Sequence, residues 1–363
     1  MNKEIISDKQ GIALIILFIV GTSSIQASGL DAKQDLWITV ILSIFMALPV
    51  VILFGRLHVI FPQKDLFDII EICFGKFIGK IIIMLFTFFC FETGSEVLRN
   101  FGQFVNIVTL HDTPLVIPDT IMIILCIWAV KEGIELTGRW SEFFILIVIG
   151  FLFVSVLLLI PDINMNNISP TLYNGAKPVM QGAFIVFLFP FTQILPFTMA
   201  FSTFKRKTSP YKVYTVGLII GGILIFVISV TNILVLGINQ ASIVYHPSYF
   251  TTGRIDIGNF VQRVEVIITT IFSLGAFIKI SIYLLGACKG VVKIFGYVDY
   301  RFIVMPIALS MLNLSCFIVD NIMEFWEWTD EVWKYYGLFF QVILPIIIWI
   351  TCEIKKNRVS NLI

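Results

Sequence analysis

Two apolar segments, one opening each half of the chain, are interrupted midway by residues that a membrane helix normally avoids. The first runs from Gly11 to about Gly29 and is interrupted at Gly21-Thr22-Ser23-Ser24. The second starts near Gly182 and is interrupted at Phe189-Pro190-Phe191-Thr192-Gln193, with Pro196 just beyond. An unbroken helix satisfies its backbone groups internally, so a break frees N–H and C=O groups where water is scarce. Breaks at corresponding positions of two halves point to a substrate site near the bilayer midplane. The pattern predicts a transporter-type membrane fold.

The rest of the chain agrees. Its 363 residues are 58% hydrophobic and 13% charged, too little polar surface for a soluble domain. A hydrocarbon core of about 30 Å takes about 20 helical residues to cross. About ten spans of that kind are expected, at 11–29, 36–57, 79–108, 114–131, 141–160, 182–204, 212–237, 258–288, 302–319 and 335–353. The fold class is therefore an all-α integral membrane protein forming one membrane domain over residues 1–363. Ten spans divide into a first five-helix repeat over 11–160 and a second over 182–353. An odd number of spans per repeat turns the second upside down relative to the first. Spans 1 and 6 are then equivalent, as are spans 3 and 8.

Basic residues collect on alternate loops, as the positive-inside rule requires. About 18 of the 25 fall on the side of both termini, among them Lys3, Lys9, Arg56, Lys80, Arg139, the Lys205-Arg206-Lys207 cluster, Lys289, Lys293 and Lys355. The opposite loops carry Lys33, Lys177, Arg254 and Lys334. Both termini are expected to be cytoplasmic, and the first apolar stretch, which lacks a small-residue cleavage site, is expected to be a span and not a signal peptide. The six cysteines fall in spans or on the cytoplasmic side, so no external disulfide framework is implied. The histidines, His58, His111 and His246, are isolated, which argues against a metal site. A net charge of +1 gives no reason to expect a nucleic-acid partner. No nucleophile with an attendant base, phosphate-binding glycine loop or metal-ligand cluster is present, so neither catalytic residues nor a cofactor are expected.

The candidate ligand-binding residues are those of the two breaks: Gly21, Thr22, Ser23 and Ser24 with Pro190, Thr192 and Gln193. A second half-helix of span 1 starting near Ser23 and Ser24 would aim N–H groups and its positive dipole end at an anionic group such as an amino-acid carboxylate. Span 6 would supply carbonyls freed by Pro190, with Thr192 and Gln193 as side-chain hydrogen-bonders. The competing reading is that the prolines only kink the helix and that Ser and Thr pack at helix interfaces.

Ionisable residues at membrane depth concentrate in spans 3 and 8, the two longest. Glu92, Glu96 and Arg99 share one helical face by their spacing, and a charge in the bilayer is costly enough that this face must look inward. One carboxylate is expected to pair with Arg99. Span 8 contributes Arg263 and Glu265 near its outer end and Lys279 deeper, for which Glu92 is the expected partner. A lysine there can stand in for a coupling cation or release a proton. The alternative is a purely structural charge network.

Three peripheral features complete the pattern. Residues 62–80 place Leu66, Ile69, Ile70, Cys73 and Phe74 on one stripe, predicting a short interfacial helix before span 3. Trp326, Trp328, Trp333, Tyr335 and Tyr336 before span 10 read as an aromatic belt at the lipid headgroups, or else as a contact for a partner. The connections 161–181 and 238–258 look like caps over an external vestibule.

Several strings taken together resemble a known family. Gly29-Leu30-Asp31-Ala32-Lys33-Gln34-Asp35-Leu36-Trp37-Ile38 resembles the AGQDAWIS region of the B subunits of spore germinant receptors. Phe74-Gly75-Lys76-Phe77-Ile78-Gly79-Lys80, Phe91-Glu92-Thr93, Arg263-Val264-Glu265 and Phe277-Ile278-Lys279-Ile280-Ser281-Ile282-Tyr283 resemble it in the same order. The resemblance covers nearly the whole chain. It implies a LeuT-like inverted-repeat fold with broken spans 1 and 6, within the amino acid, polyamine and organocation transporters. It also implies the spore inner membrane, partnership with an A-type subunit and a lipoprotein C-type subunit, and a small nutrient such as an amino acid bound between spans 1, 3, 6 and 8 whose occupancy starts germination. One departure is that many relatives carry Gly-Thr-Gly at the first break, where this chain has Ser23.

The first functional expectation is thus a nutrient-sensing membrane subunit. The rival is a working secondary transporter or ion-release pathway in which Lys279, Glu92 and Glu96 move protons or cations. A third is a scaffold that holds its partners together.

Overall fold

The computed structural model describes residues 5–110, 112–204, 206, 208–255, 264–318 and 322–359, with only the backbone described at 322, 325, 326, 330 and 356–359. Arg263 lies outside them, as do Lys3, His111, Lys205 and Lys207.

Span 1 is α1, Asp8–Ser23, whose start is written in the sequence: Ser7 accepts from the Gln10 N–H while Gln10 accepts from the Ser7 N–H, a reciprocal cap. The chain unwinds after Ser23, passes Gly29 at φ 88° and makes a 3-10 turn at Leu30–Asp35 that leads into α2, Leu36–Ile60. Span 1 is therefore broken, but no second half-helix begins at Ser23 or Ser24. What the break presents is the carboxyl end of α1. The Ser24 hydroxyl donates to the Gly21 carbonyl at 2.8 Å, finishing the helix where a fresh amino end was expected.

The helix holds through Gly21-Thr22-Ser23 for a reason found far along the chain. A Cβ on Gly275 would sit 2.1 Å from the Gly21 Cα, so the two backbones touch. Lipid tails are as apolar as leucine, so helices in membranes are held by such close approach more than by hydrophobic exclusion.

The predicted interfacial helix is the first part of α3, Leu66–Val108, which turns sharply at Gly75 (φ 79°) before the long third span. Leu66, Ile69, Ile70 and Cys73 are buried, and Asp65 caps the first turn by accepting from the Asp68 N–H at 3.0 Å. Burial raises the Asp65 carboxyl above its usual range, with Lys289 opposing that shift. Then follow α4, Val116–Glu132, and α5, Ile134–Leu159.

Span 6 opens as α6, Ala176–Val186, and breaks where Pro190 lacks a donor. Phe189 leaves the helical region (φ −129°, ψ 113°), Thr192–Ile194 forms a 3-10 turn, and helix resumes as α7, Phe197–Ala200. The chain continues through α8, Ser209–Ala241; α9, Pro247–Thr252; α10, Glu265–Phe295; α11, Val304–Phe317; α12, Ile322–Trp328; α13, Lys334–Leu338; and α14, Leu344–Val359. Six stretches among the described residues are helical, long and apolar enough to cross a membrane: Leu30–Ile60, Ile134–Asp162, Ala176–Ala200, Ser209–Ala241, Glu265–Phe295 and Glu331–Lys355. With α1, α3, α4 and α11 these make the ten-span arrangement.

The most extensive helix contact is between α3 and α10, and α1 packs against both α8 and α10. A two-residue parallel pair, β1 (Ile5–Ile6) with β2 (Thr203–Phe204), joins the start of span 1 to the end of span 6. On the opposite face the connection after α5 is ordered: the Asn164 N–H and Asn167 side chain both donate to the Leu234 carbonyl, at 3.0 and 2.9 Å.

Candidate ligand site

Lys279 projects from the middle of α10 into the bundle and is fully buried. Its Nζ donates to Thr22 Oγ1 at 2.8 Å and lies 5.1 Å from the ring centre of Phe18 and 4.6 Å from that of Phe189. Thr22 and Phe18 stand one above the other in the last turns of α1, so the cation meets the negative end of that helix. Phe189 belongs to the break in span 6. One side chain thus touches both breaks, with two aromatic faces and a hydroxyl in place of a counter-charge. Among the described residues the expected partner, Glu92, makes no ion pair with it; Glu92 accepts instead from the Thr93 hydroxyl at 3.3 Å.

Above this contact lies a cavity of about 650 Å³. Its wall on α3 is the face Thr93, Glu96, Val97 and Asn100; its floor includes Thr22, Phe189 and Gln193. The segment Gln26–Asp31 after span 1, the segment Ala241–Tyr245 after α8, and Met323 to Lys334 before span 10 contribute the rest. All three segments lie at the end of the bundle remote from β1 and β2.

Trp328 and Trp333 do not form a lipid belt. Trp328 Nε1 donates to Glu96 Oε1 at 2.7 Å, and Trp333, 6% exposed, meets the Phe189 ring edge-on at 5.9 Å. The sequence argument missed this because an indole N–H needs an acceptor, and the acceptor it finds is a span 3 carboxylate far away in the chain.

The break residues divide by role. Thr22 and Gln193 line the cavity. Gly21 is spent on the backbone contact with Gly275, and Ser24 on the Gly21 carbonyl. Ser23 is buried with its hydroxyl unpartnered. Pro190 is buried in the span 6 break, and Thr192 donates to Gln341 Oε1 at 2.8 Å, tying that break to span 10. Of the ionic residues, Glu96 borders the cavity and Glu92 stands close enough to act on it. Among the described residues neither glutamate forms an ion pair with Arg99: Glu92 meets the Thr93 hydroxyl and Glu96 the Trp328 indole. Glu265 lines a separate outer cavity of about 630 Å³ with Arg254 and Tyr249.

Residues not singled out from the sequence include Thr93 and Asn100, although their spacing from Glu96 puts them on its helical face. Gln26 and Ser28 also line the cavity. Asp119 and Gln341 carried a visible signal, a polar side chain inside an apolar span. Among the described residues no group of three or more His, Cys, Asp or Glu side chains is placed to hold a metal ion. The arrangement suits reversible binding of a small polar solute: a closed aromatic floor, a few hydrogen-bonding groups and a broad mouth.

The family profile described as "Spore germination protein" matches residues 5–323. Spore germination protein KB of Bacillus subtilis (strain 168) is 26% identical, over 99% of this chain and 97% of the relative. Spore germination protein A2 of the same organism is 22% identical, over 96% and 95%. Among solved structures, the nucleobase-cation-symport-1 transporter Mhp1, closed around bromovinylhydantoin, superposes with a TM-score of 0.68 at 12% identity, covering 88% of this chain and 74% of that one. A manganese transporter of Eremococcus coleocola gives 0.60 at 12%, covering 97% and 85%. At such identities the two structures carry the fold alone.

Proposed function

This chain belongs to the spore germination protein family, and from that premise we propose that it is the germinant-sensing subunit of a receptor, binding an amino acid or similar small nutrient in the cavity between the broken spans. The observation that carries this reading is the position of Lys279 beneath the cavity floor, where one side chain touches Thr22 of the first break and Phe189 of the second. A solute resting on Thr22, Phe189 and Gln193 bears on both breaks at once. It shifts the protein between states only by binding one of them more tightly. The receptor sits in the spore inner membrane with both termini cytoplasmic and acts with A-type and lipoprotein C-type subunits. The alternation of basic loops supports that orientation, and family membership supports the partners.

The test is binding and vesicle uptake of a labelled amino-acid panel by the purified, reconstituted protein, in parallel with a Thr22→Val, Gln193→Leu double variant. The expected result is binding without uptake, weakened about 10- to 100-fold in the variant through two lost hydrogen bonds. Unchanged affinity in a folded variant removes this site.

A second reading, a secondary transporter or ion-release pathway, is favoured by one observation: among the described residues Lys279 is buried without a carboxylate partner where spans 1 and 8 meet. Proton- or cation-dependent uptake that disappears in Lys279→Met would make transport the primary activity.

A further inference from the structure

We propose that the cavity selects its ligand by a primary ammonium group and not by a carboxylate; this rests on the reading of the cavity as the nutrient site. Three backbone donors after span 1 are already committed. The Ser24 N–H bonds to the Gly21 carbonyl and the Gln26 N–H to the Ser23 carbonyl, both at 3.3 Å, and the Ser28 N–H bonds to Ser229 Oγ at 3.1 Å. Since α1 ends at Ser23, the helix end beside the cavity is its negative one. Lys279 stands outside the cavity wall and is spent on Thr22 and two rings.

The acceptors, by contrast, are unmet. Gln193 and Asn100 line the cavity, and the side-chain oxygen of each is unpartnered but buried behind the lining, so it meets a donor in the cavity only when the amide turns. A buried acceptor without a donor carries a desolvation penalty that an entering donor removes, and an ammonium brings three donors. Glu96 supplies a carboxyl group beside them. Among the described residues the acidic side chains bordering the cavity are Asp31, Glu96, Glu327 and Glu331 and the basic one is Lys334, a balance that favours cations at the mouth. The ring of Trp333 suits the same charge.

The experiment uses the full chain in lipid nanodiscs and matched derivatives of alanine, asparagine, leucine and phenylalanine. Each is offered as the free amino acid, as its amide, which keeps the ammonium and loses the carboxylate charge, and as its N-acetyl form, which does the reverse. Sodium and potassium chloride at matched ionic strength separate an organic ammonium from an inorganic cation. For whichever side chain binds, the amide should bind within about threefold of the free amino acid, and the N-acetyl form about 100-fold more weakly. Glu96→Gln keeps an acceptor for Trp328, preserving the wall, and should cost the ammonium ligands about 10- to 100-fold. Equal binding of the N-acetyl form overturns ammonium selection and leaves the nutrient site standing, as does displacement by sodium or potassium at the same affinity. Failure of every panel member to bind removes the nutrient site and this inference with it.

Discussion

At the end of the bundle that carries β1 and β2, charges are paired across helices, whereas at the other end they are left facing a cavity. Lys293 of α10 bonds to Asp68 at 2.6 Å and Glu71 at 2.8 Å, pinning the interfacial helix, and Arg56 of α2 meets Glu353 of α14 at 2.7 Å. Lys289 donates to the Met199 and Ala200 carbonyls, at 3.3 and 2.8 Å, and so closes the last turn of α7. At the far end Glu96 accepts from the Trp328 indole, and the Gln193 side-chain oxygen is unpartnered among the described residues. The contrast teaches which end is built to stay shut and which to receive. Partly exposed pairs are worth little singly, but three of them here tie neighbouring elements together.

The largest effect should come at the contact where the two ends meet. Gly275→Val drives a side chain into the Gly21 backbone, and no rotamer relieves it. Overpacking of this kind costs more than about 3 kcal/mol, enough to lose the folded protein. Size-exclusion profiles in mild detergent should show aggregation; a monodisperse peak would mean that spans 1 and 8 do not cross as described.

Next in size is access. With the native cysteines replaced, Asn100→Cys should react with a membrane-impermeant maleimide at least about tenfold faster than Ala200→Cys, whichever face of the vesicle is offered. Equal rates would erase the distinction between an open and a closed end.

A smaller effect is expected from Lys289→Met, which strips the donor from two buried carbonyls. The cost is about 1–3 kcal/mol, lowering Tm by about 2–6 °C for a chain of this size, with faster labelling at Ala200→Cys. No shift in either would show that the α7 cap does not hold this end shut.

The smallest concerns His246, in the connection after α8. Both ring nitrogens are unpartnered, and burial pushes the imidazole down to about 4 from 6.5. The folded protein holds it neutral while the unfolded chain takes up a proton, so stability is full above pH 6.5 and falls as the pH drops towards 4. His246→Phe should flatten that slope in a Tm-against-pH series. An unchanged slope assigns the acid sensitivity elsewhere.

The spans, both breaks and the interfacial stripe at Leu66 to Cys73 were legible because the bilayer imposes length and periodicity on the sequence itself. The polarity of the first break was not. Gly-Thr-Ser-Ser reads locally as a helix-breaking string, yet it stays helical as far as Ser23, with the Gly21 backbone packed against Gly275. Partner choice was illegible for the same reason: Lys279 finds a hydroxyl and two rings, and Trp328 finds Glu96, through packing that no spacing encodes. Asn100 was within reach, one helical turn beyond Glu96 on the same face.

The strand pair of Ile5–Ile6 with Thr203–Phe204 couples what the breaks separate. It fastens the foot of span 1 to the foot of span 6 through main-chain bonds, so the two feet must travel as one body. Any displacement of one foot is therefore shared by the other, at the face of the protein remote from the cavity.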